Sequence, residues 1–165
     1  MKNFFLLGMP ASGKSTIANY ISEKTNLYKI DLDEEIEKYC ESSIINIFNT
    51  KGEIYFRKIE SLILKKIILE KKNYILSTGG GSPCHNNNLN IILKNGISIF
   101  INTPISTIVE RIIRNTNRPM FKNKNNIRSK INELYQARLC FYNQSDYIIS
   151  KKFKKEILSI IKIQS

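Results

Sequence analysis

The chain has 165 residues, 42% of them hydrophobic and 24% charged, and no tryptophan. That length suits one domain of about 100–200 residues, able to bury about 70% of its unfolded surface without staples. With a formal net charge of +12, the composition excludes a disordered chain, a collagen-like repeat and a coiled coil, and no run of about 18 apolar residues marks a membrane-spanning helix.

Asn3 to Leu7 is a short apolar run ending at Gly8 and reads as a buried strand. The start of the chain superficially resembles a secretory signal, but its apolar stretch leads straight into a glycine loop without a small-residue cleavage site. Lys14 to Lys24 has helical spacing through Ile17, Ala18 and Ile21. Leu27 to Leu32 is a second strand, with Asp31 near its end. Asp33 to Glu70 is helical, with a break near Thr50-Lys51-Gly52. Asn73 to Thr78 is a third strand, running into Gly79-Gly80-Gly81. Asn86 to Lys94 is a helix closed by the C-cap pair Asn95-Gly96. Ile97 to Ile101 is a fourth strand, and a helix runs from Pro104 to about Arg114.

Asn115 to Asn126 loses its periodicity, is rich in Asn and Lys, and contains Arg118-Pro119. Its length suits a mobile lid. Ile127 to Asn143 is helical, Tyr147 to Ile149 a fifth strand and Phe153 to Ile163 a last helix. Strands alternating with helices imply a parallel sheet covered on both faces. There is no internal repeat and no linker, so residues 1–165 read as a single domain.

Gly8-Met9-Pro10-Ala11-Ser12-Gly13-Lys14-Ser15 fits G-x-x-x-x-G-K-[ST] between a strand and a helix, the context a phosphate-binding loop needs. Gly8 and Gly13 allow successive backbone N–H groups to point into one concavity, and the helix N-terminus adds partial positive charge. Lys14 reaches the β- and γ-phosphates, and the Ser15 hydroxyl is a ligand for Mg²⁺. The motif says nucleoside triphosphate without naming the acceptor.

Magnesium also needs a carboxylate. The third strand ends Ser77-Thr78-Gly79 without one, so Asp31 is the substitute, with a helix cap as its other reading. Asp33 is either a cap or the group that accepts the acceptor's hydroxyl proton. Arg57 and Glu60 are either a surface ion pair at i,i+3 or a rigid guanidinium fork for a carboxylate, flanked by Phe48 and Phe56. Arg138 is a second candidate for that fork. The triplet Gly79, Gly80 and Gly81 lets the backbone approach a small ligand. Arg118 is placed to close over the phosphates.

These motifs together resemble the shikimate kinase family, in order along nearly the whole chain. They are the loop from Gly8 to Thr16, Asp31-Leu32-Asp33, Gly52-Glu53-Ile54-Tyr55-Phe56-Arg57-Lys58-Ile59-Glu60, Thr78 to Gly81, Arg118-Pro119, and Arg138 followed by Tyr142. The resemblance implies a P-loop three-layer α/β/α sandwich like the nucleoside monophosphate kinases, with a five-stranded parallel sheet and a lid at 115–126. It implies transfer of the ATP γ-phosphate to the 3-hydroxyl of shikimate, with Mg²⁺. Gly8, Ala11, Ser12, Gly13, Lys14, Ser15, Thr16, Arg111 and Arg118 would hold the nucleotide, Arg111 against the adenine. Asp33, Arg57, Gly79, Gly80, Gly81 and Arg138 would hold shikimate in a subregion spanning 33–60. The catalytic set is Lys14, Asp33 and Arg118, and the metal ligands are Ser15 and Asp31. Pro10-Ala11 replaces the family's usual methionine-glycine, Met120-Phe121 its two leucines, and Ser145 an alanine.

Rival readings are a gluconate-type or nucleotide kinase, and a non-catalytic nucleotide- or RNA-binding module suggested by the charge. The basic residues are spread along the chain; the densest cluster, Lys151 to Lys155, reads as a solvated face. The expectation is a cytoplasmic monomer with no membrane and no specific nucleic-acid partner. Cys40, Cys84 and Cys140 read as reduced, buried thiols, and His85 as a loop residue.

Overall fold

The computed structural model describes residues 2–114 and 126–164. Five parallel strands, β1 (Phe4–Leu7), β2 (Tyr28–Asp31), β3 (Tyr74–Ser77), β4 (Ile97–Ile101) and β5 (Tyr147–Ile149), lie in the order β2-β3-β1-β4-β5. The lid assigned to 115–126 falls outside the described residues except for Asn126. No described helix is long and apolar enough to cross a membrane.

The strands are apolar on both faces because both faces are covered. Phe4, Leu6, Ile75, Ile97, Ile99 and Ile101 pack on one side with Ile17 and Ile21 of α1 (Lys14–Lys24) and Ile157 and Ile161 of α7 (Phe153–Gln164). Phe5, Leu7, Leu76 and Phe100 pack on the other. Their partners there come from α2 (Leu32–Cys40), α3 (Ile44–Glu70), α4 (Asn88–Asn95), α5 (Ile105–Arg114) and α6 (Ile127–Tyr142). The result is the expected three-layer sandwich. Strand β1 is central, with β3 on one side and β4 on the other. The chain therefore leaves β1 at a reversal of strand order, where parallel sheets open a crevice at their carboxyl ends.

Three features differ from the sequence reading. The long helical stretch breaks twice: at Gly52, as expected, with φ 78 and ψ 173, and also at Glu41, whose φ of 49 ends α2. Ser43 then accepts the Asn46 N–H and caps α3. Gly96 is not a left-handed cap, since its φ of 169 is extended. It is glycine because a Cβ there would collide with the Asn3 carbonyl and the Phe5 ring. The cysteines are free but not buried: Cys40 and Cys84 are half-buried and Cys140 is exposed, because Ile127, Ile131 and Tyr142 carry the inward stripe of α6.

Strands β4 and β5 are pinned at their starts. Asp146 Oδ2 accepts from the Ser98 N–H at 2.8 Å and its hydroxyl at 2.6 Å, and the Asp146 N–H donates back to Ser98 Oγ at 2.9 Å. Ser98 is fully buried. Asp146→Ala, which leaves those donors unmet, is expected to lower unfolding free energy by about 2 kcal/mol. Urea denaturation with an unchanged m value checks it.

Candidate active site

One cleft of about 1550 Å³ opens at the carboxyl ends of the strands. It is lined by Ala11 to Thr16, Asp31, Asp33, Arg57, Gly79 to Gly81, Arg111 and Arg138. Gly8 is not on the lining, but its carbonyl belongs to the same loop. Arg118 lies outside the described residues.

The loop between β1 and α1 bends through three left-handed residues, Gly8 (φ 145), Ala11 (φ 63) and Gly13 (φ 100). Ala11, though not glycine, takes up that conformation at a cost of about 1 kcal/mol. The Lys14 ammonium donates to the Gly8 and Met9 carbonyls, both at 2.9 Å, which holds it against the loop. Arg111 Nη1 donates to the Ala11 carbonyl at 3.0 Å, so α5 leans over the loop. Thr103 Oγ1 braces the loop through the Ser12 carbonyl at 2.9 Å.

Asp31 is the helix cap of one sequence reading, and its other oxygen meets Ser15. Oδ1 accepts the Asp33 N–H at 3.1 Å as a helix cap, and Oδ2 accepts the Ser15 hydroxyl at 2.6 Å. The Ser77 hydroxyl stands 3.2 Å from Ser15 Oγ. Sequence reasoning noted the missing acid at the end of β3 but did not see that Ser77 completes this group. Two hydroxyls and a carboxylate at the foot of the loop are hard oxygen donors. They fit Mg²⁺, which takes few protein oxygens.

Across the cleft, Arg57 and Glu60 are not a surface pair. The Glu60 side chain is 0% exposed and that of Arg57 13%. Arg57 Nη1 donates to Glu60 Oε2 at 2.8 Å, while Nε and Nη2 both reach Glu53 Oε1 at 3.2 and 3.1 Å. Its Cζ stands 5.1 Å from the Phe56 ring centroid, and Phe56 packs on Phe48 at 4.6 Å. Burial raises the Glu60 pKa, opposed chiefly by the Arg57 charge. Burial works against the Arg57 charge, but Glu60 and Glu53 together outweigh it and its pKa is raised.

Each glycine of the triplet is needed for a close approach. A Cβ on Gly79 would sit 2.7 Å from Glu60 Oε1 and 3.1 Å from Asp33 Oδ1; on Gly80, 2.5 Å from Pro10 Cδ; on Gly81, 2.6 Å from Arg57 Nη2. The buried Tyr142 hydroxyl donates to the Gly80 carbonyl at 2.5 Å, and its pKa is pushed upward mainly by burial. Arg138, one turn earlier on α6, has a buried Nη1 with no hydrogen-bond partner among the described residues. A buried guanidinium donor in that state calls for an oxygen anion. The Lys151–Lys155 cluster is not purely a solvated face: Lys152, Lys154 and Lys155 line the cleft with Phe153, and the Lys154 ammonium rests 4.7 Å from the Tyr20 ring centroid.

The profile of the shikimate kinase family matches residues 10–163. The chain belongs to the shikimate kinase family. It is 39% identical to the shikimate kinase of Persephonella marina over 154 residues, covering 93% of this chain and 92% of that one. It is 36% identical to the shikimate kinase of Azobacteroides pseudotrichonymphae, over 96% of each chain. Its fold is similar to that of the Acinetobacter baumannii shikimate kinase solved in complex with shikimate, with a TM-score of 0.90 and 27% identity over 99% of this chain and 93% of that one. Family membership makes the chain an ATP-dependent kinase.

Behind the glycine triplet, the His85 pKa is lowered, first by desolvation and then by Arg57. The unfolded state therefore binds this proton more readily than the native one, and the resulting stability is lost as pH falls from 6.5 through the lowered native value. His85→Gln is expected to flatten the pH dependence of Tm below pH 6.5 relative to the wild type, as read by thermal melts across that range. Parallel curves would contradict it.

Proposed function

We propose that this protein transfers the γ-phosphoryl group of ATP to the 3-hydroxyl of shikimate, giving shikimate 3-phosphate in the chorismate route to aromatic amino acids. The observation that carries this reading is the pairing, in one cleft, of a P-loop with two arginines and an aspartate on a glycine floor. The matching P-loop, D-x-D, arginine and glycine motifs of the family support it.

The nucleotide phosphates lie along Gly8 to Thr16, where backbone N–H groups and the N-terminus of α1 favour anions. Lys14 exchanges the Gly8 and Met9 carbonyls for phosphate oxygens. Arg111, fixed on Ala11, lies against the adenine. Ser15 and Asp31 would hold Mg²⁺, which when bound offsets the charge of the β- and γ-phosphates.

Arg57 and Arg138 take the carboxylate of shikimate, Arg57 as a fork already oriented by Glu53 and Glu60, Arg138 through its unpaired Nη1. The backbone of Gly79, Gly80 and Gly81 bounds the ring. Asp33, in the first turn of α2, accepts the proton of the 3-hydroxyl as that oxygen attacks the γ-phosphorus. The new P–O bond forms as the bond to the leaving ADP oxygen breaks. Arg118 stabilises the charge in transfer, with 115–126 acting as the lid. The functional unit is a single kinase domain working as a cytoplasmic monomer, with residues 33–60 as its acceptor-binding part.

A coupled ADP-release assay tests the reading: ADP should appear with ATP and shikimate together and not with ATP alone. Arg57→Ala is expected to raise the KM for shikimate about 100-fold, a charged hydrogen bond being worth up to about 3 kcal/mol, with the KM for ATP nearly unchanged. Equal effects on both constants would remove Arg57 from the carboxylate site. Asp33→Asn should lower kcat by about 10²–10⁴ while ATP still binds; near-normal turnover would remove Asp33 from the chemistry.

A further inference from the structure

The run Asn86-Asn87-Asn88 belongs to none of the motifs that mark the active site, yet it ties the turn after the glycine floor to α3. Asn86 and Asn87 are both left-handed, with φ of 50 and 61, a conformation that asparagine tolerates better than most residues. Together they turn the chain so that Asn88 enters α4 pointing inward, fully buried.

We propose that Asn88 is a positioning residue for the acceptor site: by bridging Ser61 of α3 to Ser82 behind Gly81, it sets the distance between the Arg57–Glu60 pair and the glycine floor. Its Oδ1 accepts the Ser61 hydroxyl at 2.7 Å, and its Nδ2 donates to the Ser82 carbonyl at 3.0 Å. Ser61 follows Glu60, and Ser82 follows Gly81. A second tie lies alongside, where Asn86 Nδ2 donates to the backbone carbonyl of Arg57 at 2.8 Å.

The distance so fixed has little tolerance. Arg57 lies over Gly81 and Glu60 over Gly79 closely enough that even a methyl group would not fit between them. If α3 moved out by a fraction of an ångström, Arg57 would no longer meet a ligand carboxylate in line with Arg138. Pocket geometry at that scale governs binding and near-attack placement. The P-loop touches the glycine floor through Pro10 on Gly80 and is tied by hydrogen bonds to Thr103 and Arg111, so the donor end depends less on this bridge. Buried hydrogen bonds of this kind are costly to leave half-made, which gives the carboxamide one preferred arrangement.

The inference rests on the acceptor reading above, and kinetics separate the two. Wild-type ADP release that depends on shikimate tests that reading; without it both fall. With it, Ser61→Ala is expected to raise the KM for shikimate about fivefold to tenfold, leave the KM for ATP within about twofold, and still unfold cooperatively. Asn88→Ala should show the same split more strongly. The double variant should be no worse than Asn88→Ala alone, since both remove one bridge. Ser61→Thr, which keeps the hydroxyl, should restore the shikimate KM. A purely structural role would lower Tm and the active fraction without moving either KM, and that result overturns the proposal. So does a parallel rise in both KM values. If Asn88→Ala fails to fold, the Ser61 pair decides alone.

Discussion

A carboxylate with no access to water lies beneath an arginine of the cleft wall. Glu60 is fully buried, so ionising it is costly unless a cation stands against it, and Arg57 is that cation at 2.8 Å. The pairing contributes little as a stabilising contact. What it supplies is direction, because a guanidinium clamped by Glu60 and Glu53 loses the rotational freedom it would have on an open helix. The close seating of Arg57 on Gly81, of Glu60 on Gly79 and of Pro10 on Gly80 follows from holding such a pair against a backbone that has no side chains.

The donor end is organised by different means. Its positive character comes from peptide N–H groups, a helix terminus and Lys14, whose ammonium is held by carbonyls of the loop itself. Asp31 connects the two ends. One oxygen holds the Ser15 hydroxyl at the start of α1 and the other caps the helix that begins with Leu32 and Asp33. A helix cap and a tie to the phosphate-binding loop share one residue, so Asp33 is placed relative to that loop by a path of few bonds.

The sheet and most of the helices were legible because apolar runs of four or five residues alternate with segments of helical spacing. The phosphate loop was legible because its glycines and lysine are local. What the sequence hid was non-local. The charge pattern of Arg57 and Glu60 at i,i+3 is the same on a surface as in a buried wall; only the packing of α3 on the glycine turn separates the two. The break at Glu41 was missed because glutamate is a poor left-handed residue, and the serines that follow it cap as readily as they continue a helix. Ser77, Asn88 and the lysines of α7 reach the site region through the register of the sheet and the docking of helices, which no short motif records. Cys140 was expected inside because cysteine usually is, but it falls on the outer face of α6.

The glycine floor also bears on how such a cleft could escape a competitive inhibitor. Resistance commonly arises by growing a side chain into the space a compound occupies. Along Gly79 to Gly81 that route is obstructed, because an added carbon would collide with Glu60, Pro10 or Arg57. A molecule resting on this surface would press on ground the protein cannot alter without displacing Glu60, Pro10 or Arg57.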